Sequence, residues 1–259
     1  MYDVTKLVSQ SVFDFLLNNL PTPKQLPHGR KHIDKKALLN GILQVLVNGV
    51  AWNKLADCGC SYSSCFRYFK EIQRRGLLNL LFDTLFRDIT DISECSIDST
   101  TITSFRFKNL TGWDGKHKKI GTKLSIISDI KGLPADLVVG KGNMHDLHFV
   151  PKHVKNTAGI RKNILNLDKG YTSKDLRRNL RNKGIKVNME TRAKDYTAKR
   201  GPKFTFDAEK YKVRFQIERL NGWIKSFKRL RTRVEFSVSS FKAFVYLALI
   251  VVLARNYAF

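Results

Sequence analysis

The stretch ECSIDSTTITSFRF, residues 94–107, divides the chain into two textures. It is rich in Ile, Thr and Ser and has no helical period, so it reads as a strand. What precedes it reads as helix. Residues 5–19 show apolar spacing near three to four and stop before Pro21. Residues 21–33, PTPKQLPHGRKHI, hold three prolines and read as a linker or arm. Asp34 is placed to cap a helix with Leu38, Leu39, Ile42, Val45, Leu46 and Val50 on its apolar side. After a short element at Asn53–Asp57 and the turn residues CGCSYSS, Ser61 or Ser63 can cap SCFRYFKEIQRRG, and Gly76 can end it. LLNLLFDTLFRD completes this region. A Gly-containing turn before a helix carrying Arg67, Lys70, Arg74 and Arg75 suggests a DNA-reading helix-turn-helix, with a plain helical bundle equally compatible.

Beyond residue 107 the alternation continues. KLSIISDIKGLPADLVVGKG reads as two strands joined by a turn at Lys131–Pro134. VPKHVKNTAG reads as a helix, and RKNILNLDKGY as a short buried strand ending at Asp168. SKDLRRNLRNKG is a helix bounded by Ser173 and Gly184, and IKVNMETR a further strand. The order β-β-β-α-β-α-β, then long helices, predicts a mixed α/β sheet flanked by helices. The expected division is an all-α domain over residues 1–92 and an α/β domain over 93–259.

Charge narrows the partners. The chain has 259 residues and carries 47 Lys+Arg against 22 Asp+Glu, a net +25. Residues 1–92 hold 12 bases and 8 acids, net +4; residues 93–259 hold 35 and 14, net +21. Such a surplus implies a polyanion, nucleic acid first and acidic membrane second. Ribosomal and histone-like proteins are as basic, but they are usually shorter and lack a β-rich apolar middle. The start MYDVTKLVSQ has no secretory-signal pattern. The apolar run AFVYLALIVVLA, 243–254, falls short of the roughly 20 residues that span a bilayer and reads as a buried core helix, so no membrane partner is expected. Four cysteines give no disulfide framework, and a reducing cytoplasm fits. Cys58-x-Cys60 with Cys65 has the look of a metal site. It lacks a fourth ligand nearby and reads as a reduced, partly buried trio.

The acids are the chemically telling residues. Asp98 in SIDST and Asp168 in NLDKGY sit at or beside the ends of apolar strands, where ligands collect in open α/β sheets. Taken singly, each is more simply a turn or cap aspartate. From Lys210 to Arg233 there are nine Lys/Arg and one acid, Glu218. On a helix, Tyr211, Arg214, Glu218 and Lys225 fall within an arc of about 60° along about 21 Å. A carboxylate on such a face would repel phosphate unless a divalent cation stood between them. Three carboxylates offering hard oxygens suit Mg²⁺ or Mn²⁺, and two such ions serve phosphoryl transfer.

The spacing Y-x2-R-x3-E-x6-K at Tyr211, Arg214, Glu218 and Lys225 resembles the signature of bacterial insertion-sequence transposases with a DDE, RNase H-like catalytic domain. RLRTR after it is similar to their basic run. DSTTIT resembles the first-Asp strand, DIKGLP and GNMHDLH the stretches between the acids, and LDKGY the second-Asp motif. IER resembles the sequence around the glutamate. LLNGILQVLVNGVAWNKL resembles the helical DNA-binding region of the fifth insertion-sequence family. The resemblance covers about residues 34–255. It implies that Asp98, Asp168 and Glu218 are catalytic and hold metal, Mg²⁺ or Mn²⁺, as two ions. It implies DNA contacts from Tyr211, Arg214 and Lys225. Arg219, Lys228, Arg229, Arg231 and Arg233 are added from the same basic segment, with Arg67 and Lys70 from the helical domain. The expected partner is double-stranded DNA, both transposon ends and target, bound by a homodimer or higher oligomer in the bacterial cytoplasm at the nucleoid. The run departs from the pattern in following Arg233 with Val234, and the link Thr191–Asp207 is too short for an inserted β-domain. A silent DNA-binding derivative or another RNase H-like nuclease are the rival readings.

Lesser signals have plainer readings beside the functional ones. His145-Asp146 caps the following helix or approaches the site from the sheet edge. Trp223 stacks on a base or packs in the core. Lys116, Lys118, Lys119 and Lys123 form a phosphate-contacting edge or a solvated face.

Overall fold

The apolar run at 243–254 becomes the centre of a helical unit. A computed structural model describes residues 4–23, 28, 33–157, 159–160, 163–190 and 206–256. Much of the proline-rich arm, at 24–27 and 29–32, and of the link, at 191–205, lies outside the described residues. Two compact units form, one from residues 1–89 with 223–259 and the other from 90–222. The sequence reading groups 223–259 with the sheet. Those residues pack instead with 1–89, because the last helix is apolar all round and needs helices about it.

In the helical unit, α1 (Gln10–Asn19) is capped by Ser9, α2 (Lys35–Asn48) by Asp34 and α3 (Tyr62–Arg74) by Ser61. Each cap side chain accepts a backbone N–H that the first turn would leave unpaired. α4 is Leu77–Ile89. The C-terminal helix, α9 (Val238–Asn256), outruns the apolar stretch that nucleates it. By length and apolar content it could cross a membrane, but 72% of that window is buried in the unit. It contacts α1, α3 and α4, and Phe244 stacks on Phe69 at 4.4 Å between ring centroids. The connection between α2 and α3 is residues 49–61, far longer than a helix-turn-helix turn. The tight Gly-containing junction is Arg75-Gly76, between α3 and α4, where Gly76 takes φ +65°.

The sheet unit is built on β1 (Glu94–Ser104), which is buried on both faces for most of its length. β3 (Lys119–Ser128) runs antiparallel to it, and β5 (Ile164–Asn166) runs parallel on its other side, followed by β6 (Lys186–Asn188), parallel to β5. The far edge of β3 pairs with β4 (Pro134–Lys141) and with the short β2 (Gly112–Asp114), which carried no pattern in the sequence. The turn before β4 is held by Asp129, whose Oδ1 accepts from Lys131 N at 2.9 Å and Leu133 N at 2.7 Å, while Gly132 supplies φ +84°. α5 (Val150–Asn156) packs on β4, and α6 (Lys174–Asn182) on β6. α7 (Ala208–Tyr211) and α8 (Arg214–Ser226) follow, residues 223–226 of α8 being assigned to the helical unit.

Phe244 is fully buried. Replacing it with Ala should cost the helical unit about 3–5 kcal/mol, read from urea unfolding followed by far-ultraviolet circular dichroism. A loss below about 1 kcal/mol would show that α9 is not the centre of that core.

Candidate active site

Asp98 lies in the middle of β1, opposite Ile126 of β3. Its Oδ2 accepts from Asn221 Nδ2 of α8 at 2.9 Å. Burial raises the Asp98 pKa above the ordinary carboxylate range. The Arg214 guanidinium, the Ser99 amide and Lys116 oppose that shift, and the charge of Glu218 adds to it. Asp98 is therefore an incompletely compensated carboxylate, with one acid and one base of α8 in its field.

Glu218 is half-exposed and pairs with Arg214 Nη2 at 3.2 Å, one helical turn away. Arg214 is buried, and its Nη1 has no partner among the described residues. Tyr211 sets its ring 5.6 Å from the Arg214 guanidinium. Burial raises the Tyr211 pKa, and Arg214, Asp168, Glu190 and Lys169 all act on it. Asp168 follows β5 by two residues and caps a short 3-10 turn, Lys169–Tyr171, through Lys169 N at 2.7 Å. Lys169 pairs with Glu190 at 2.9 Å.

The three sequence-predicted acids thus enter one electrostatic neighbourhood through Arg214 and Tyr211. They do not close into a tight cage. Among the described residues, the group of three ligand-bearing side chains whose ligand atoms all lie within 4.8 Å of one another is Cys58, Cys60 and Cys65. Three like charges repel, and Arg214 holds Glu218. The donor set still suits a hard divalent cation. Asp98 is desolvated, and Asn221 Oδ1 is buried with no hydrogen-bond partner among the described residues.

Two site residues escaped the sequence reading. Asn221 follows Glu218 by three positions and so shares its face; that spacing was the available signal. Tyr171, the tyrosine of LDKGY, is buried, and its hydroxyl interacts with Ser99. Its pKa is raised well above normal by burial, then by Asp98 and Asp146.

Several expected DNA contacts are placed otherwise. Arg233 is fully buried and donates to the carbonyls of Glu235 and Phe236; Arg229 is buried against Glu235 and donates to the Val50 carbonyl. These two guanidiniums brace the helical unit and do not face a phosphate. Lys70 is half-buried and bonds Gln73 and Ser240. Arg67, Arg219, Lys225, Lys228 and Arg231 are exposed; Arg219 donates to Gln216, and Arg231 to the Lys225 carbonyl. In the lysine cluster, Lys123 is taken by Asp146 at 2.8 Å, and His145 caps the next turn. Ser125, His153 and Asp136 connect like a nucleophile relay, at 2.9 and 2.7 Å. Ser125 and His153 are fully buried, so this chain braces β3, β4 and α5 and is closed to substrate.

Residues 89–253 match the family described as "Transposase DDE domain". The chain belongs to this family. Residues 8–82 match "Putative transposase of IS4/5 family". The chain is 27% identical over 124 residues to the putative transposase for insertion sequence element IS402 of Burkholderia cepacia, covering 44% of this chain and 54% of that protein. A second B. cepacia protein, the insertion element IS402 uncharacterized 16.2 kDa protein, is 34% identical over 93 residues, covering 32% of this chain and 63% of that one. The chain thus spans about half to three fifths of the curated relatives it matches. A piggyBac transposase, solved as a synaptic complex with hairpin DNA, superposes with TM-score 0.55 at 11% identity, covering 98% of this chain and 72% of that one. That likeness concerns the fold, a mixed α/β sheet with helices, which is consistent with an RNase H-like architecture.

Burial makes the folded chain hold the Asp98 proton more tightly than the unfolded chain does. Stability from the neutral acid is present at low pH and is lost as pH rises from the unfolded to the folded pKa. At neutral pH without divalent cation, Asp98→Asn should raise the melting temperature by on the order of 2–4 °C. An unchanged or lower value in thermal unfolding would remove the desolvation cost assigned to Asp98.

Proposed function

We propose that this chain is a DNA transposase that binds the terminal inverted repeats of its element, cleaves DNA and joins the 3′ end to target DNA. The supporting observation is the desolvated Asp98 carboxylate, facing a guanidinium with an unpartnered buried N–H and, beyond it, Glu218. Asp98, Asp168 and Glu218 would hold the divalent cation, Mg²⁺ or Mn²⁺ as two ions. When bound, such ions supply Lewis-acid activation of a water or 3′-hydroxyl and charge neutralisation at the leaving oxygen. The remaining work falls to side chains. The Asn221 amide orients Asp98. Arg214, buried and paired with Glu218, would answer the charge of Asp98 and Glu218, and the Tyr211 ring stands 5.6 Å from its guanidinium.

The assignment of Lys225, Arg219, Lys228, Arg231 and Arg67 to DNA rests on their exposure and charge. The partner is double-stranded DNA, at transposon ends and target, engaged by a homodimer or higher oligomer at the bacterial nucleoid. The match to an IS4/5-family region supports placing the chain in the fifth insertion-sequence family.

In a strand-transfer assay, Asp98→Ala, Asp168→Ala and Glu218→Ala should each abolish cutting and joining while end binding persists. Cutting retained by any one variant would exclude that residue from the triad, and wild-type protein that binds without cutting would favour a silent derivative. Lys225→Ala should weaken binding across sequences and lower the salt slope by about 1. An unchanged slope would argue against a phosphate contact there.

A further inference from the structure

The connection between α2 and α3 carries a second cluster, in the helical unit and outside the carboxylate site. Cys58 and Cys65 are buried and Cys60 is half-buried, and all are free thiols. Their sulfurs converge: Cys60 to Cys65 at 3.1 Å, Cys58 to Cys65 at 3.9 Å and Cys58 to Cys60 at 4.0 Å. Metal–sulfur bonds of about 2.3 Å in a tetrahedron put sulfurs about 3.8 Å apart. Two of the three edges already have that length, and the third needs to open by about 0.7 Å. A disulfide needs about 2.05 Å and would use two sulfurs, leaving the third without a role.

Packing around the cluster is built for the sulfur. A Cβ on Gly41 of α2 would stand 2.4 Å from Cys65 Sγ, so α2 can approach this closely only at a glycine. Gly59, between Cys58 and Cys60, adopts φ +82°, which lets the two thiols turn to one side. Among the described hydrogen bonds, Cys65 Sγ meets only other sulfurs. Cys60 borders a cavity of about 790 Å³ that also reaches Ser61, Ser64 and Glu71. The side of the cluster facing that space is open to a water or other fourth ligand.

We infer that Cys58, Cys60 and Cys65 form a three-thiolate site for one thiophilic metal ion, zinc(II) or copper(I), which ties the 49–61 connection to α3 against α2. Thiolates select these soft d10 ions over the hard cations suited to carboxylates. Zinc would take its fourth ligand from the cavity side, and copper(I) would rest in the plane of the three sulfurs. Without metal, the start of the connection keeps its 3-10 turn and the Arg229 bond to Val50, whereas the stretch carrying Cys58 and Cys60 has few backbone hydrogen bonds of its own.

The test uses the full chain, reduced and stripped of metal, in buffer containing Mg²⁺ to occupy carboxylates. Zinc(II) or copper(I) is added alone and bound metal is measured by native mass spectrometry. Cadmium(II) titration reports thiolate ligation through its ultraviolet charge-transfer band, which carboxylates do not give. One ion per chain, with that band saturating at one equivalent, is expected. Cys58→Ser, Cys60→Ser and Cys65→Ser should each lose stoichiometric binding, while Cys95→Ser, in β1, keeps it. Retention by zinc or by copper(I) identifies the ion. No stoichiometric metal on the wild-type chain, binding that survives all three substitutions, or a Cys60–Cys65 disulfide persisting in reductant would each overturn the site. Should the variants fail to fold, wild-type cadmium absorption decides alone, and its absence refutes the assignment.

Discussion

A carboxylate in the interior of a sheet is costly unless something answers its charge. Asp98 lies on β1 opposite Ile126 of β3 and two residues beyond the last pair with β5, where burial opposes its ionisation. The answer comes from α8. Asn221 donates to it, Arg214 lowers its pKa, and Glu218 stands close enough to raise it. The face of α8 that meets β1 is thereby fixed, and Tyr211 and Asp168 join the same neighbourhood through Arg214. Burial works against the charged form of Asp98, and a divalent cation at the proposed site would offset that cost.

The basic surplus separates into two populations. Arg229, Arg233, Lys70 and Lys123 satisfy carboxylates, hydroxyls and carbonyls within their own units, and Arg177 is buried with Nη2 3.4 Å from the Met189 carbonyl. Arg67, Lys116, Lys225, Lys228 and Arg231 are exposed. A polyanion would meet the second population, so +25 overstates the electrostatic footprint of the surface.

Much of this was legible in the residues. The strand at 94–104, the hairpin around Lys131–Pro134 and the caps at Asp34, Ser61 and Ser173 follow from local chemistry that tertiary context does not reverse. Asp168 could be singled out by its position after a strand and Glu218 by its spacing on a helix; Asp98, read at a strand end, lies in the middle of β1, because pairing with β3 carries that strand on to Ser104. Burial of a base could not be read. Arg229 and Arg233 sit in the same run as Arg231, and only packing against Glu235 and nearby carbonyls distinguishes them. Asn221 was passed over because an amide carries no charge signal. The cysteine trio lacked a fourth ligand in sequence, and its convergence depends on Gly41 and Gly59.

Asp98, Asp168 and Glu218 are proposed to act as one divalent-cation site. Manganese(II) binding followed by electron paramagnetic resonance tests it directly, on the full chain and on Asp98→Asn, Asp168→Asn and Glu218→Gln. All three substitutions should diminish the same binding event seen in the wild type. Wild-type affinity and stoichiometry in Glu218→Gln would contradict it, leaving that glutamate as the ion-pair partner of Arg214.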